Sequence, residues 1–396
     1  MLTLNLLRRM LRLLLILPLF TYSRLSHPLC QHYHHTLRCR GLNHTSDILE
    51  SPRDLSHKVT RVEILDSEVK CMDWRHFTRF VNLQEIVTSN SHLRQVECRR
   101  NGERHKKAVN PLQHLRSLNL SFNALTEVDD SITSLSHLQE IDLSNNKITH
   151  ISCDFSLLLS LQHLDMSNNQ FDDSIDSKVL IKLPPNLIYL NISGNPWPCL
   201  PKLSWLHSWS QKLSPSLFHQ VSQTECTVPN THHQSPLLRV MEYYSNRVTP
   251  HCPNQCFCTF YHFSSGKISP PTYTVLVNCT NQNLSSFPTL PPHTTILDLT
   301  GNILSDSSYD SLDIAEKNYG ELSGLILSHN KFSFIDPKLN KLKLHRLFRI
   351  DHNNLSEIPY DFSQGLQSSK PKISFSQNKW NCECGSEITN LVRVNN

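Results

Sequence analysis

Three stretches, LRSLNLSFNAL at 115–125, LQEIDLSNNKI at 138–148 and LQHLDMSNNQF at 161–171, follow one another at intervals of 23 residues. In each, a polar residue stands between two apolar ones, and an asparagine follows three positions later. Such alternation makes a short strand with one face in a core and the other outside it. The asparagine (Asn123, Asn146, Asn169) ends the strand, because its amide can bond backbone groups of neighbouring coils where the chain turns inward. The pattern recurs from Leu187 to Asn195 and, after a break, around Asn302, Asn330, Asn353 and Asn378. Upstream, the stretches from Val59 and Leu83 keep the spacing but put Ser67 and Ser91 where asparagine stands elsewhere.

Several such matches in register are the signature of the leucine-rich repeat. The fold expected is an α/β solenoid, a leucine-rich-repeat horseshoe with short parallel strands. One coil cannot bury its own apolar side, so stability must come from stacking coils. The coils carrying Ser67 and Ser91 read as atypical capping coils. The repeats fall in two blocks, 59–195 and 291–378, separated by cysteine-rich segments.

Arg8, Arg9 and Arg12, the apolar run Leu13 to Phe20, then Thr21 and Ser23 follow the order of a secretory leader, residues 1–23. That run is too short to span a bilayer, and no later stretch approaches about 18 uninterrupted apolar residues. No membrane segment is therefore expected apart from the leader. Thirteen cysteines and sequons at Asn43, Asn119, Asn191, Asn278, Asn283 and Asn354 agree with secretion. The formal charge of +4 says little about partners. The basic cluster Arg99, Arg100, Arg104, Lys106 and Lys107 reads as a solvated loop between coils, with a polyanion contact or a proteolytic nick as the sharper alternative. A secreted repeat protein without stacking aromatics is not expected to bind nucleic acid.

Asn195-Pro196-Trp197-Pro198-Cys199, then Trp205-Leu206-x-x-Trp209 and Cys226, resembles the C-terminal cap of extracellular leucine-rich-repeat proteins; residues 196–251 would be this cap and a linker. Pro201 stands where that cap has a second cysteine, so the resemblance implies a single bridge, Cys199 with Cys226. Cys252-x-x-x-Cys256-x-Cys258 with Cys279, in 252–290, is similar to the matching N-terminal cap and implies Cys252–Cys258 and Cys256–Cys279. A four-cysteine zinc site is the chemical alternative, disfavoured by an oxidising compartment. Residues 379–396 resemble the start of another C-terminal cap, with Cys382 and Cys384 lacking partners before Asn396. Pairing Cys30 with Cys39, in the N-terminal segment 24–58, and Cys71 with Cys98 then leaves Cys153, Cys382 and Cys384 unpaired. A disulfide-linked or non-covalent homo-oligomer follows as one option.

This layout resembles an invertebrate Toll-family receptor ectodomain, which implies extracellular recognition of a cytokine-like protein ligand. The first block is shorter than in that family, and the sequence holds neither a transmembrane helix nor a signalling domain. The chain would be secreted, or the ectodomain of a type I membrane protein if it is a fragment. A second resemblance, in general layout, is to secreted insect proteins of the singed-wings type, linked to the ecdysone cascade; a matrix adaptor belongs to the same reading.

Residues between the strand leucines should face outward on the concave side. Candidate binding residues there are Asp142, Asp165, Tyr189, Asp298 and Arg349, although the aspartates also fit ordinary repeat consensus. Asn119 and Asn191 lie mid-strand, so sugars there would obstruct that face and direct a ligand to the convex side, a lateral side or the seam between blocks. Histidine is abundant, at 23 residues, but His32, His34, His35, His232 and His233 read as polar loop rather than metal ligands. With nine glycines and neither a phosphate loop nor a nucleophile elbow, no catalytic residue, metal or cofactor is expected.

Overall fold

Each alternating stretch becomes a short strand, and its apolar alternates, Leu118, Ile141 and Leu164 among them, are buried. The computed structural model describes residues 30–98, 112–172, 183–229, 233–264 and 272–381. The leader, the basic cluster, His232, Cys382 and Cys384 lie outside them. The chain forms two compact units, and the division between them falls inside the first repeat block, around Lys147 and Leu164.

In the first unit, β1 (Cys30–Tyr33) and β2 (Thr36–Arg40) form an antiparallel hairpin. Parallel to β2 run β3 (Arg61–Leu65), β4 (Glu85–Ser89), β5 (Ser117–Asn119) and, after the two-residue β6 (Glu127–Val128), β7 (Glu140–Asp142). Their register aligns Leu37, Val62, Ile86, Leu118 and Ile141 in one buried row. Short 3-10 turns on the far side of the coils begin at Asp73, Asp129 and Asp154, each accepting from the backbone N–H two residues on. These are N-caps, worth about 1 kcal/mol each.

The hairpin corrects the reading of His32 as part of a loop-like polar tract, since it lies in β1 opposite Leu37, whereas His34 and His35 form the exposed turn. Cys30–Cys39 ties its two strands, and Leu37 and Cys39 are buried against the first coil. The hairpin is thus the end cover, and the coils of Ser67 and Ser91 are interior rather than capping. Serine serves there because its hydroxyl still reaches two backbone groups: Ser91 Oγ donates to Ile64 O (3.1 Å) and Ser89 O (2.9 Å), and Ser67 Oγ accepts from Leu42 N (3.1 Å) and donates to Leu65 O (2.8 Å).

The second unit holds β8 (His150–Ile151), β9 (His163–Asp165, from Leu164 onward), β10 (Tyr189–Asn191), a cap segment and the second block. The cap contains α1 (Trp205–Ser210), α2 (Pro215–Val221), the hairpin of β11 (Glu225–Thr227) with β12 (Gln234–Pro236), and α3 (Leu237–Tyr243). A π-helical turn (Tyr244–Val248) and a 3-10 turn (Thr249–His251) continue α3 to Cys252, so 237–251, expected to include a linker, is helical throughout. The second block opens with the antiparallel pair β13 (Phe257–Ser264) and β14 (Thr272–Asn278). It continues in parallel through β15 (Thr294–Asp298), β16 (Gly324–Ile326), β17 (Leu347–Arg349) and β18 (Lys372–Ser374), with α4 (Tyr360–Ser369) between the last two.

Asparagine ladders run through both units. Asn146 Nδ2 donates to Leu120 O of the preceding coil (2.9 Å) and to Leu143 O and Ser144 O of its own, while its Oδ1 accepts from Leu125 N (3.0 Å). Asn302, Asn330, Asn353 and Asn378 repeat this scheme in the second block. The residue before each ladder position has positive φ: Asp66, Asn90, Phe122 and Asn145 in one unit, and Asn168, Gly194, Asn281, Gly301, His329, His352 and Gln377 in the other. Glycine is required at two of them. A Cβ on Gly301 would stand 1.9 Å from Asn281 Oδ1, and one on Gly194 would stand 2.1 Å from Asn168 Oδ1.

Ten of the described cysteines form five disulfides: Cys30–Cys39, Cys71–Cys98, Cys199–Cys226, Cys252–Cys258 and Cys256–Cys279. Cys153 is free and buried. The cap of the first block and the start of the second share one core. Tyr244, fully buried, donates its hydroxyl to Cys199 O (3.0 Å) and accepts from Phe260 N (2.8 Å). Around it pack Phe260, Phe263, Tyr243 and Tyr273 with ring centroids 4.1–5.7 Å apart. Trp197 Nε1 donates to Ile192 O (3.0 Å), and Trp380 Nε1 makes the same bond to Phe375 O (2.8 Å), each tryptophan closing the coil two residues after its asparagine.

Candidate functional site

The strand face opposite the core is built from every second residue, because side chains alternate along a strand. In the first unit it begins with charge. Arg38 Nε donates to Glu63 Oε2 (2.6 Å), Arg61 Nε to Glu63 Oε1 (2.8 Å), and Arg61 Nη1 to Glu85 Oε2 (2.5 Å), so four side chains on three strands form one network. Glu63 is buried among them. Burial works to raise its pKa, but the two guanidinium hydrogen bonds outweigh that, and the carboxyl titrates below its ordinary range. The sequence signal for this network was present in the weak coils, where the alternate positions hold Arg61, Glu63 and Glu85.

Next on the same face, Asn119 Nδ2 donates to Asp142 Oδ2 (3.0 Å), while Asn119 Oδ1 accepts from Ser121 N and Oγ. Asp142 Oδ1 accepts from Ser144 N (2.9 Å). The same turn recurs in the second unit: Asp165 binds Ser167, Asn191 binds Ser193, and Asp298 binds Thr300, each through the backbone N–H and the hydroxyl. One oxygen of each predicted aspartate is thus committed to its own chain, an Asx turn that closes the strand.

The structure brings two of the predicted residues together. Tyr189 donates its hydroxyl to Asp165 Oδ2 (3.3 Å), an oxygen that Asn191 Nδ2 also reaches (3.2 Å). Asp298 and Arg349 are separated by the whole of β16, where Ile326 occupies the equivalent position. Arg349 is exposed. Of the sequons, Asn43, Asn278, Asn283 and Asn354 are exposed, whereas Asn119 and Asn191 are half-buried with their amides engaged. Chemically the face offers carboxylates, guanidinium groups and one phenol, arranged for hydrogen bonding rather than for moving a proton.

Comparison with known proteins gives the following. The family model described as "Leucine rich repeat" matches residues 113–171. Protein singed wings 2 of Drosophila melanogaster is 27% identical over 225 residues, covering 53% of this chain and 43% of that protein. Leucine-rich repeat-containing protein 3 of Danio rerio is 29% identical over 136 residues, covering 34% of this chain and 45% of that one. The chain thus spans less than half the length of these curated relatives. A solved structure of the Toll – Spatzle complex from Drosophila, in glycosylated form, aligns with 86% of this chain and 49% of that chain at 19% identity and a TM-score of 0.38. That likeness is too loose to rank one leucine-rich-repeat protein above another. Among the described residues, no helix is long and apolar enough to cross a membrane.

Proposed function

We propose that this chain is an extracellular recognition module that binds a protein partner through the polar face of its repeats, in the manner of a receptor ectodomain of the Toll type. The observation that carries the proposal is the strand face itself: polar and charged side chains stand in register over successive coils, from Arg61 and Glu85 to Ser117 and Glu140. A surface repeated at strand spacing suits an extended protein partner. Five disulfides support an oxidising compartment. The half-burial of Asn119 and Asn191 supports keeping this face clear of sugar, with glycans carried by Asn43, Asn278, Asn283 and Asn354.

The test is capture of extracellular proteins on the oxidised, immobilised chain, compared with a Tyr189→Ala/Asp165→Asn double variant and an Arg61→Ala/Glu85→Ala variant. A partner retained by the parent and lost by one of these locates the face. Equal retention by all three sinks the proposal. A second reading, a secreted developmental or matrix adaptor, is favoured by the similarity to singed wings 2. It predicts stable association with matrix or with another copy of the chain, and no competition with a receptor for its ligand.

A further inference from the structure

Histidine appears twice in the left-handed column of the second block, on adjacent coils, at His329 and His352. Their rings are stacked, centroids 4.0 Å apart and planes 12° apart, and both are exposed. Asp351 lies beside them. Its backbone oxygen accepts from His329 N (2.9 Å), and its Oδ1 accepts from Ser328 Oγ (3.0 Å), which leaves Oδ2 for a ligand. One donor atom from each of the three side chains lies within 4.8 Å of the other two. We infer that His329, Asp351 and His352 form a surface site for a late first-row divalent metal ion, zinc above all, that clips two successive coils together.

Three features carry this. The donor set is right: two imidazoles and a carboxylate suit zinc, copper(II) or nickel(II), and with three protein ligands the remaining positions stay open to solvent. The backbone is already in place. Asn330 and Asn353, directly after the two histidines, are each tied to their own and the preceding coil, so the Cα positions beneath the rings are fixed by buried hydrogen bonds. The remaining adjustment is small. Donor atoms on one tetrahedral zinc with bonds of about 2.1 Å stand about 3.4 Å apart, so separations of at most 4.8 Å must close by up to about 1.4 Å. The movement asked of the site is a turn of the two exposed rings out of their stack. Neighbouring coils offer no such set, since Gly301 and Gln377 hold the column positions on either side.

The experiment is zinc titration of the full oxidised chain by calorimetry and equilibrium dialysis, with zinc ion alone as the probe. The test variant is His329→Asn/His352→Asn. Asparagine adopts positive φ readily and already occupies this column at Asn145, Asn168 and Asn281, so the variant keeps the local backbone. Asp351→Asn keeps the acceptor for Ser328 while removing the charge. The expected result is one zinc site per chain in the parent, weakened at least tenfold in Asp351→Asn and abolished in the double variant, with unchanged circular dichroism. Zinc binding that survives undiminished in the double variant belongs to other histidines and overturns the assignment, as does absence of zinc binding in the parent.

Discussion

Replacing Asn330 measures what one rung of the ladder contributes. Its Oδ1 is the acceptor for Leu304 N (3.1 Å), and its Nδ2 reaches Leu299 O, Leu327 O and Ser328 O at 3.0–3.1 Å. Asn330→Ala leaves the Leu304 N–H buried without an acceptor, a cost of about 1–3 kcal/mol. The two amide hydrogens shared among three carbonyls are lost as well, at about 1 kcal/mol per bond. The sum is about 4 kcal/mol. Asn330→Ser should recover roughly half, because Ser67 and Ser91 already fill this role with two backbone bonds each. Asn330→Asp should be at least as damaging as alanine, since it keeps the acceptor but aims a second oxygen at three carbonyls. Because a stack of coils need not unfold in one step, the readout is native-state hydrogen exchange at the Leu304 amide, with guanidinium unfolding beside it. A loss below about 1 kcal/mol in Asn330→Ala, or Asn330→Asp as mild as Asn330→Ser, would refute the reasoning.

Tyr244→Phe should lower stability by about 1–3 kcal/mol, read by thermal unfolding, because the buried Phe260 N–H loses its acceptor; an unchanged Tm would show that the hydroxyl is not a bridge between cap and second block. Glu63 has a depressed folded-state pKa, so its contribution is present above the unfolded value of about 4.3 and lost as pH falls through the lower folded value. Between pH 5 and 2 the parent should therefore lose more stability in urea than Glu63→Gln, and parallel losses would contradict the network. Burial raises the Cys153 thiol far above its ordinary range, assisted by Asp130, Asp154 and Asp129. Iodoacetamide at pH 8 should leave Cys153 unmodified in the native chain and alkylate it in denaturant, read by peptide mass; native labelling would mean that its coil opens.

How much was legible depends on whether a residue acts through a period. Leu118, Ile141 and Leu164 declare the strands because the core asks the same thing of every coil at the same interval. The hairpin of Cys30–Tyr33 and Thr36–Arg40 has no such interval, and its histidines made it look like polar loop. The cluster of Tyr243, Tyr244, Phe260, Phe263 and Tyr273 was hidden for another reason: it forms once, from segments whose aromatic spacing has no regularity. At the candidate site the difficulty was a shared signal. An Asx turn closed by a following serine or threonine and a glycosylation sequon use the same letters, so the sequons at Asn119 and Asn191 gave no sign of the turns that both residues make. Thr280 N also donates to Asn278 Oδ1 (2.9 Å), yet Asn278 is exposed. What differs between them is burial, which sequence spacing does not encode.

The ladder has a consequence for how such a chain can change length. Asn146, Asn195, Asn302 and Asn330 each hold a carbonyl of the coil before them across spans of 23 to 31 residues, so the far side of a coil can lengthen or shorten while the strand and its asparagine stay in phase. A single-residue insertion between Leu347 and Asn353, within the strand and the turn that closes it, would carry the asparagine away from Leu327 O and break the strand alternation in the same step. A whole added coil would bring its own asparagine, its own buried leucines and its own left-handed residue, and disturb nothing on either side. Variation of the strand face is therefore granular. The outward residues of any one coil are free to drift singly, while the extent of the surface they make can grow or shrink only one rung at a time.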